Sequence, residues 1–229
     1  MLETKNTKLM THLDSELKQI KQQVIEMMTL VRNQLAKGKN AVLTFDKDLV
    51  HEINANEKRV NAMELSIDRA IENTLALYTP VAVDLRFVMA SFKISADLER
   101  IGDNAVGIAK YINHVNEQLT AAELDKIKFV EMYENALLML ENVFEAFEKE
   151  DTKLAREVFV KDKVLNKINL NAASITIQFI QQSPDKINNY LYLLSIIRKL
   201  ERVGDLAKNI AEELIFYIEA KVLKHHKKK

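Results

Sequence analysis

Two six-residue segments of the chain are almost identical. Leu98–Asp103 reads LERIGD and Leu200–Asp205 reads LERVGD, so the segments differ only by Ile for Val. The two prolines of the chain, Pro80 and Pro184, precede these segments by similar distances. Self-similarity at a fixed spacing is the signature of an internal repeat. The sequence therefore predicts that one structural unit occurs twice.

Each copy of this unit is predicted to contain three long helices. Only four Gly and two Pro occur in 229 residues, and 48% of the residues are hydrophobic, which favours long helices around a sizeable core. Apolar residues recur at three- and four-residue intervals, the spacing of one helical face. In the first copy we expect a helix that ends at about Lys37 before a bend at Gly38 and Lys39, a second helix from about Asp46 to Tyr78, and a third from Pro80 to about His114.

The second copy repeats this pattern. We expect breaks at Leu119 to Ala121, near Asp151 and at Ser183-Pro184, with helices through Met132 and Leu140, through Val158 and Ile168, and after Pro184. The predicted fold is all-α, with six long antiparallel helices in two tandem three-helix bundles. Residues 1–118 are expected to form the first unit, and residues 119–229 the second unit with a basic C-terminal tail.

Charge and composition exclude several classes of protein. Lys plus Arg and Asp plus Glu both number 33, so the net charge of zero provides no field that would attract nucleic acid. The chain has no Cys, so any metal would need carboxylate or His ligands. The first ten residues lack the apolar core and small-residue cleavage site of a secretory signal, and the most apolar run, Tyr190–Ile197, is too short to span a bilayer. We therefore expect a cytoplasmic protein.

The repeated segment carries two acidic residues four positions apart. These pairs are Glu99 with Asp103 and Glu201 with Asp205, and the spacing places each pair on adjacent turns of one helical face. Two such carboxylates could hold one cation, and the face opposite the apolar stripe would turn them away from the centre of their own bundle. An ordinary solvated face is the alternative interpretation. Oxygen ligands favour hard or borderline cations.

Weaker signals accompany these pairs. Gly102 and Gly204 interrupt their helices at a cost of about 1 kcal/mol each relative to Ala, which indicates close approach by a neighbouring helix, a metal cluster or a partner protein. An acid precedes an amide by four residues in the second helix of each copy. Possible supporting ligands are Glu57, Asn61, Asp162, Asn166 and Asn209, and the alternative interpretation, that they are ordinary exposed polar residues, needs no further explanation.

The chain resembles the PhoU family over nearly its whole length. The stretch PVAVDLRFVMASFKISADLERIGDNAVGIAKYI at Pro80–Ile112 and the later stretch LERVGDLAKNIAEELIFYIEAK are similar to the family's two signature helices, and HLDSEL and NEKRVNAME resemble its opening and second helices. The resemblance implies metal clusters on the acidic motifs of some members. Iron, manganese, magnesium and zinc all remain open for this chain, as does the absence of metal. The chain departs from many relatives at Gly107, where they have Asn, and at Asn61 and Asn166, where they often have Asp.

The same resemblance implies a function. It implies a non-enzymatic negative regulator of phosphate-starvation signalling that contacts a phosphate transporter ATPase and a membrane sensor kinase, forms a homodimer and reaches the membrane through its partners. An accessory protein of another phosphate transporter and a plain scaffold bundle are alternatives. A di-metal carboxylate enzyme normally uses Glu-x-x-His pairs, and no His of this chain follows a Glu at that spacing. The tail LKHHKKK could contact an anionic membrane or simply be solvated.

Overall fold

Helices account for almost all of the chain that the structure describes. The computed structural model describes the backbone of residues 2–223 and the side chains from residue 12 onward, so most of the basic tail lies outside the described residues. Within that range there is no strand, which confirms the all-α fold class. The helices are α1 (Leu2–Thr44), α2 (Asp48–Tyr78), α3 (Ala82–His114), α4 (Ala121–Lys126), α5 (Phe129–Lys149), α6 (Thr152–Gln182) and α7 (Ile187–Glu219), and a 3-10 turn spans Pro184–Lys186.

The long helices form two three-helix bundles. In the first bundle α1, α2 and α3 pack on one another, and in the second bundle α5, α6 and α7 do the same. Their apolar stripes are fully buried, as at Val24 and Val31 of α1 or Leu165 of α6, because each stripe faces the other two helices of its bundle. None of the described helices combines the length and the apolar character needed to cross a bilayer.

The two bundles meet along α3 and α7, the equivalent helices of the two copies. The ring of Phe87 near the start of α3 lies 5.4 Å from that of Tyr217 near the end of α7. At the other end of the contact, the ring of Tyr111 lies 6.0 Å from that of Tyr192. The two helices are therefore antiparallel. Buried residues of both bundles belong to one continuous apolar core.

The predicted bend at Gly38 and Lys39 is wrong, because α1 continues to Thr44. A Cβ added at Gly38 would lie 2.5 Å from the hydroxyl oxygen of Tyr133 in α5. Glycine therefore makes room for a side chain of the other bundle and does not end the helix. The local sequence contains no signal for this contact, since the two residues are far apart in the chain.

The prolines also act differently from the prediction. Pro80 precedes α3 by two residues, and Val81 has an extended backbone before the helix begins at Ala82. Pro184 opens the 3-10 turn, after which α7 begins at Ile187. In both copies the proline therefore marks the junction, while the helix itself starts later.

The linker between the bundles contains a seventh helix that the sequence pattern did not predict. The hydroxyl of Thr120 accepts a hydrogen bond from the Glu123 N–H at 3.2 Å, and the Glu123 carboxylate accepts one from the Thr120 N–H at 2.7 Å. This reciprocal capping box starts the short helix α4. The Tyr190 hydroxyl donates to Glu123 at 2.7 Å, which ties the linker to α7.

Candidate cation-binding sites

The first acidic motif lies at the junction of α3 and α2. Leu98 and Ile101 point into the core, which leaves Glu99 half-buried and Asp103 exposed at the edge of the bundle. Burial raises the pKa of Glu99, and the neighbouring charges of Asp103, Glu64 and Glu57 raise it further. Four carboxylates from two helices therefore share one region.

Glu64 belongs to this group, although the sequence analysis did not single it out. It lies seven residues after Glu57, which is two helical turns and therefore the same face of α2. Burial raises the pKa of Glu64, as do the charges of Asp68 and Asp103. The two-turn spacing between Glu57 and Glu64 is therefore a signal in the sequence that could have identified Glu64 as part of the site. Asn61, a predicted supporting ligand, is exposed on the same helix.

The second acidic motif lies in the equivalent place, between α7 and α6. Asp162 is buried, and its Oδ2 accepts a hydrogen bond of 3.1 Å from the side-chain amide of Asn166. Burial raises the pKa of Glu201, and the nearby charges of Asp205 and Asp162 act in the same direction. The structure therefore places Asp162 of α6 beside the pair Glu201 and Asp205 of α7, a neighbour that the spacing within α7 could not predict.

A lysine that the sequence analysis missed joins this second group. The ammonium of Lys208 lies 2.9 Å from Asp205 Oδ1 and 3.3 Å from Asp162 Oδ2. It comes from the helical turn after Asp205, so it spans the groove between α7 and α6. Burial alone would lower the pKa of Lys208, but the hydrogen bonds and charges of the two aspartates outweigh burial and raise it. The lysine is therefore charged at neutral pH.

The glycines of the two motifs face the interior of their own bundles. A Cβ added at Gly102 would lie 3.3 Å from Val60 Cγ1 of α2, and one at Gly204 would lie 2.5 Å from Leu165 Cδ2 of α6. Of the three neighbours that the sequence left open, the closely approaching group at both positions is a neighbouring helix. At Gly107 an added Cβ would meet Lys199 of α7 at 2.8 Å, so this position, equivalent to Asn209, lies at the contact between the bundles.

The two motifs differ in how well they would suit a cation. Among the described residues, no group of three or more Asp, Glu or His side chains is arranged to hold a metal ion with its side chains as they stand. In the first motif the donor chemistry is nevertheless suitable, because four carboxylates cluster there. Burial and the repulsion of neighbouring carboxylates raise the pKa of Glu99 and Glu64, and the positive charge of Arg100 only partly offsets this at Glu99. In the second motif the donor chemistry is unsuitable, because an ammonium already contacts two of the carboxylates.

Fold and sites together define a class: tandem three-helix bundles whose third helices carry matching acidic motifs. The family model described as PhoU domain matches residues 24–112 and again residues 129–214, which is more than half of the chain. The chain therefore belongs to the PhoU family. The two matches contain the two acidic motifs, so the duplicated unit that the sequence predicts is the unit of this family.

Similarity to individual relatives extends over nearly the whole chain. A phosphate-specific transport system accessory protein PhoU homolog from Burkholderia is 29% identical over 218 residues, covering 95% of this chain and 93% of the relative. The Escherichia coli accessory protein PhoU is 30% identical over 212 residues, covering 93% and 87%. The crystal structure of PhoU from Pseudomonas aeruginosa superimposes with a TM-score of 0.85 at 27% identity, covering 91% of this chain and 99% of that one.

Proposed function

We propose that this chain is a non-enzymatic, cytoplasmic accessory protein of phosphate uptake and a negative regulator of phosphate-starvation signalling. The observation that supports the proposal most strongly is family membership over both repeats, together with relatives that are named accessory proteins of the phosphate-specific transport system. The sensor kinase and the transporter ATPase enter as the partners that the family resemblance implies.

Two exposed apolar patches support a role as an adaptor. Near the start of α3, Leu85, Met89 and Phe92 are exposed, and near the start of α7 the equivalent positions Ile187 and Leu191 are exposed as well. Exposed apolar side chains that cluster on one helical face are typical of protein-binding surfaces. The duplication therefore presents two similar patches on one molecule.

The geometry of the fold separates these patches. Because α3 and α7 are antiparallel, the start of α3 lies beside the end of α7, where Arg86 Nε donates a hydrogen bond of 3.1 Å to the Tyr217 carbonyl. At about 1.5 Å per residue along α7, the two patches are roughly 35 Å apart. Two different partners could bind without overlap, or one patch could pair two copies of the chain as the proposed homodimer.

An adaptor of this kind needs no chemical step. A partner that binds one conformational state of the protein more tightly shifts the population toward that state, and by linkage it alters the affinity of the second partner. The status of the transporter could therefore bias the kinase through this chain. In the phosphate-replete state the adaptor would hold the kinase inactive.

We further propose that the first acidic motif, with Glu57, Glu64, Glu99 and Asp103, binds a divalent or trivalent cation. Its donors are all oxygens, which suits magnesium and manganese and is compatible with iron or zinc. The carboxylates of α2 and α3 would be neutralised and held together there. Such a site would stiffen the α2–α3 groove and supply no redox or hydrolytic step.

The decisive experiment is deletion of the gene, followed by growth in phosphate-rich medium. We expect a reporter of phosphate-starvation genes to rise and phosphate uptake to change, and complementation with the wild-type chain to restore both. If the clean deletion leaves the reporter and uptake unchanged, the proposed function is wrong. A change in uptake alone would favour an accessory protein of a transporter without a role in signalling.

Complementation with variants tests the contribution of the acidic motif. Glu99→Gln with Asp103→Asn should fold but complement less well, since the variant loses the proposed cation site. Asp125→Asn with Asp185→Asn is the matched control, because it removes two exposed acidic charges outside both motifs. Equal complementation by both variants would indicate a replaceable acidic face and would favour the plain scaffold.

A further inference from the structure

The two acidic motifs occupy equivalent positions in the repeat but contain different charges. The first motif has four carboxylates, at Glu57, Glu64, Glu99 and Asp103. When LERIGD and LERVGD are aligned, Lys208 of the second copy corresponds to Val106 of the first. The second copy therefore adds an ammonium where the first has an apolar side chain.

The contacts of this ammonium show that it lies inside the second motif. Its distances of 2.9 Å to Asp205 and 3.3 Å to Asp162 are those of direct charge-assisted hydrogen bonds. These two carboxylates belong to different helices, α7 and α6, so the lysine links the same two elements that a bound cation would link. Glu201 lies on the turn before Asp205, and the positive charge of the lysine acts to lower its pKa against the larger effect of burial.

The burial of Asp162 makes a counter-ion necessary. Its side chain is 10% exposed, and its Oδ1 has no hydrogen-bond partner among the described residues. An ionised carboxylate buried without a cation is strongly disfavoured, so Asp162 needs an ammonium or a metal ion beside it to carry its charge there. In this chain Lys208 already provides the positive charge.

We infer that Lys208 is the built-in counter-ion of the second motif and closes it to cations from solution, so that of the two motifs only the first can hold a metal ion. What is inferred about the first motif rests on the cation site of the proposed function, whereas the role of Lys208 rests on its own contacts and on the burial of Asp162. The two repeats would then have different tasks: the first responds to a cation, and the second carries its own counter-ion.

Manganese binding to the full-length protein tests the inference. Free Mn²⁺ is counted by electron paramagnetic resonance during titration of the wild-type chain and of Lys208→Val, which gives the second motif the residue of the first. We expect the variant to bind about one more Mn²⁺ per chain than the wild type, because the freed carboxylates take the cation. Adding Asp162→Asn and Asp205→Asn to this variant should abolish the gain.

Thermal unfolding provides a second measurement. Without metal, Lys208→Val should melt at a lower temperature than the wild type, and Mn²⁺ should restore more of its melting temperature than it adds to the wild type. Lys208→Gln keeps a long polar side chain without the charge and should behave in the same way if the valine variant folds poorly. Lys110→Gln is the matched control, because it removes an exposed lysine of α3 outside both motifs.

Two results would overturn the inference. One is a Lys208 variant that folds but gains no Mn²⁺, and the other is wild-type binding that disappears when Glu201 and Asp205 are neutralised. Loss of wild-type binding on neutralising Glu99 and Asp103 instead assigns the bound ion to the first motif and agrees with the inference. A wild-type chain without bound Mn²⁺ would count against the proposed cation site in the first motif, while the gain in the Lys208 variant would still decide the role of the lysine.

Discussion

Tyr133 carries a buried hydroxyl whose removal should stabilise the protein. The side chain is fully buried, and its hydroxyl has no hydrogen-bond partner among the described residues. Burial raises the pKa of Tyr133, so the group is a neutral phenol at any working pH. An unsatisfied buried polar group costs about 1–3 kcal/mol, whereas the void left by one oxygen atom costs only about 0.3 kcal/mol at ~24 cal/mol per Å³. Tyr133→Phe should therefore raise the free energy of unfolding by about 1–2 kcal/mol.

Gly38 allows a double-mutant cycle on the same contact. Gly38→Ala gains about 1 kcal/mol of helix propensity, but its Cβ would lie 2.5 Å from the Tyr133 hydroxyl, and overpacking costs about 1–3 kcal/mol. In the Tyr133→Phe background this hydroxyl is absent. The atoms nearest to the added Cβ are then Ile108 Cγ2 at 3.6 Å and the ring carbon Cζ of residue 133 at 3.7 Å, which are ordinary van der Waals contacts. The alanine should then stabilise the protein, with a coupling energy of about 1–3 kcal/mol.

Urea unfolding followed by circular dichroism gives the free energy of unfolding of all four proteins of this cycle, and the values are compared when the slope m is the same for all four. Tyr190→Phe is the control, because the hydroxyl of Tyr190 donates a good hydrogen bond to Glu123 and its loss should destabilise by about 1 kcal/mol. If Tyr133→Phe destabilises as much as the control, the buried hydroxyl has a partner and the reasoning is wrong. Additive effects of the two substitutions would show that Gly38 does not make room for Tyr133.

Three further substitutions probe other contacts. Arg156→Ala removes two hydrogen bonds that are the largest cause of the lowered pKa of Glu219, so exchange of the last amides of α7 should quicken at pH 7. A lowered folded pKa stabilises fully above the unfolded value and loses this effect as pH falls toward the folded value, so the difference should begin to fade below about 4.5. Thr120→Ala removes the cap of α4 and should cost about 1 kcal/mol in urea unfolding. Lys93→Met removes the ammonium 3.1 Å from buried Glu213 and should cost about 1 kcal/mol by the same assay, a value kept small because Lys93 is half exposed.

Most of the fold could be predicted from the sequence because its signals are local and doubled. Helical periodicity is a property of neighbouring residues, and the repeated LERIGD and LERVGD segments show that both halves share one architecture. The failures have a different origin. Gly38 has the appearance of a helix breaker, yet its role depends on Tyr133, which reaches it from another helix of the other bundle. A contact of that range leaves no pattern in one sequence.

The candidate sites also could be predicted only in part, because some of their contacts are local in sequence and others join different helices. Glu99 and Asp103 lie on adjacent turns of one helical face, so their spacing alone brings them together. Glu64 enters only when α2 packs beside α3, although its two-turn distance from Glu57 is visible in the sequence. Lys208 is not recognisable as part of the site from its residue type, because acids and amides are the ligands of a cation, whereas the ammonium of a lysine takes the place of the cation itself.

The antiparallel contact between α3 and α7 gives the molecule an approximate two-fold axis, the symmetry of a homodimer. In a dimer of separate single-repeat chains, every substitution would appear on both sides of that axis. Joining the copies in one chain removes this restriction, so Val106 and Lys208 can stand at equivalent places with opposite chemistry. The protein therefore has the pseudo-symmetric arrangement of a homodimer, while its two halves can differ in sequence as the subunits of a heterodimer do. A binding partner can thus distinguish one end of the molecule from the other.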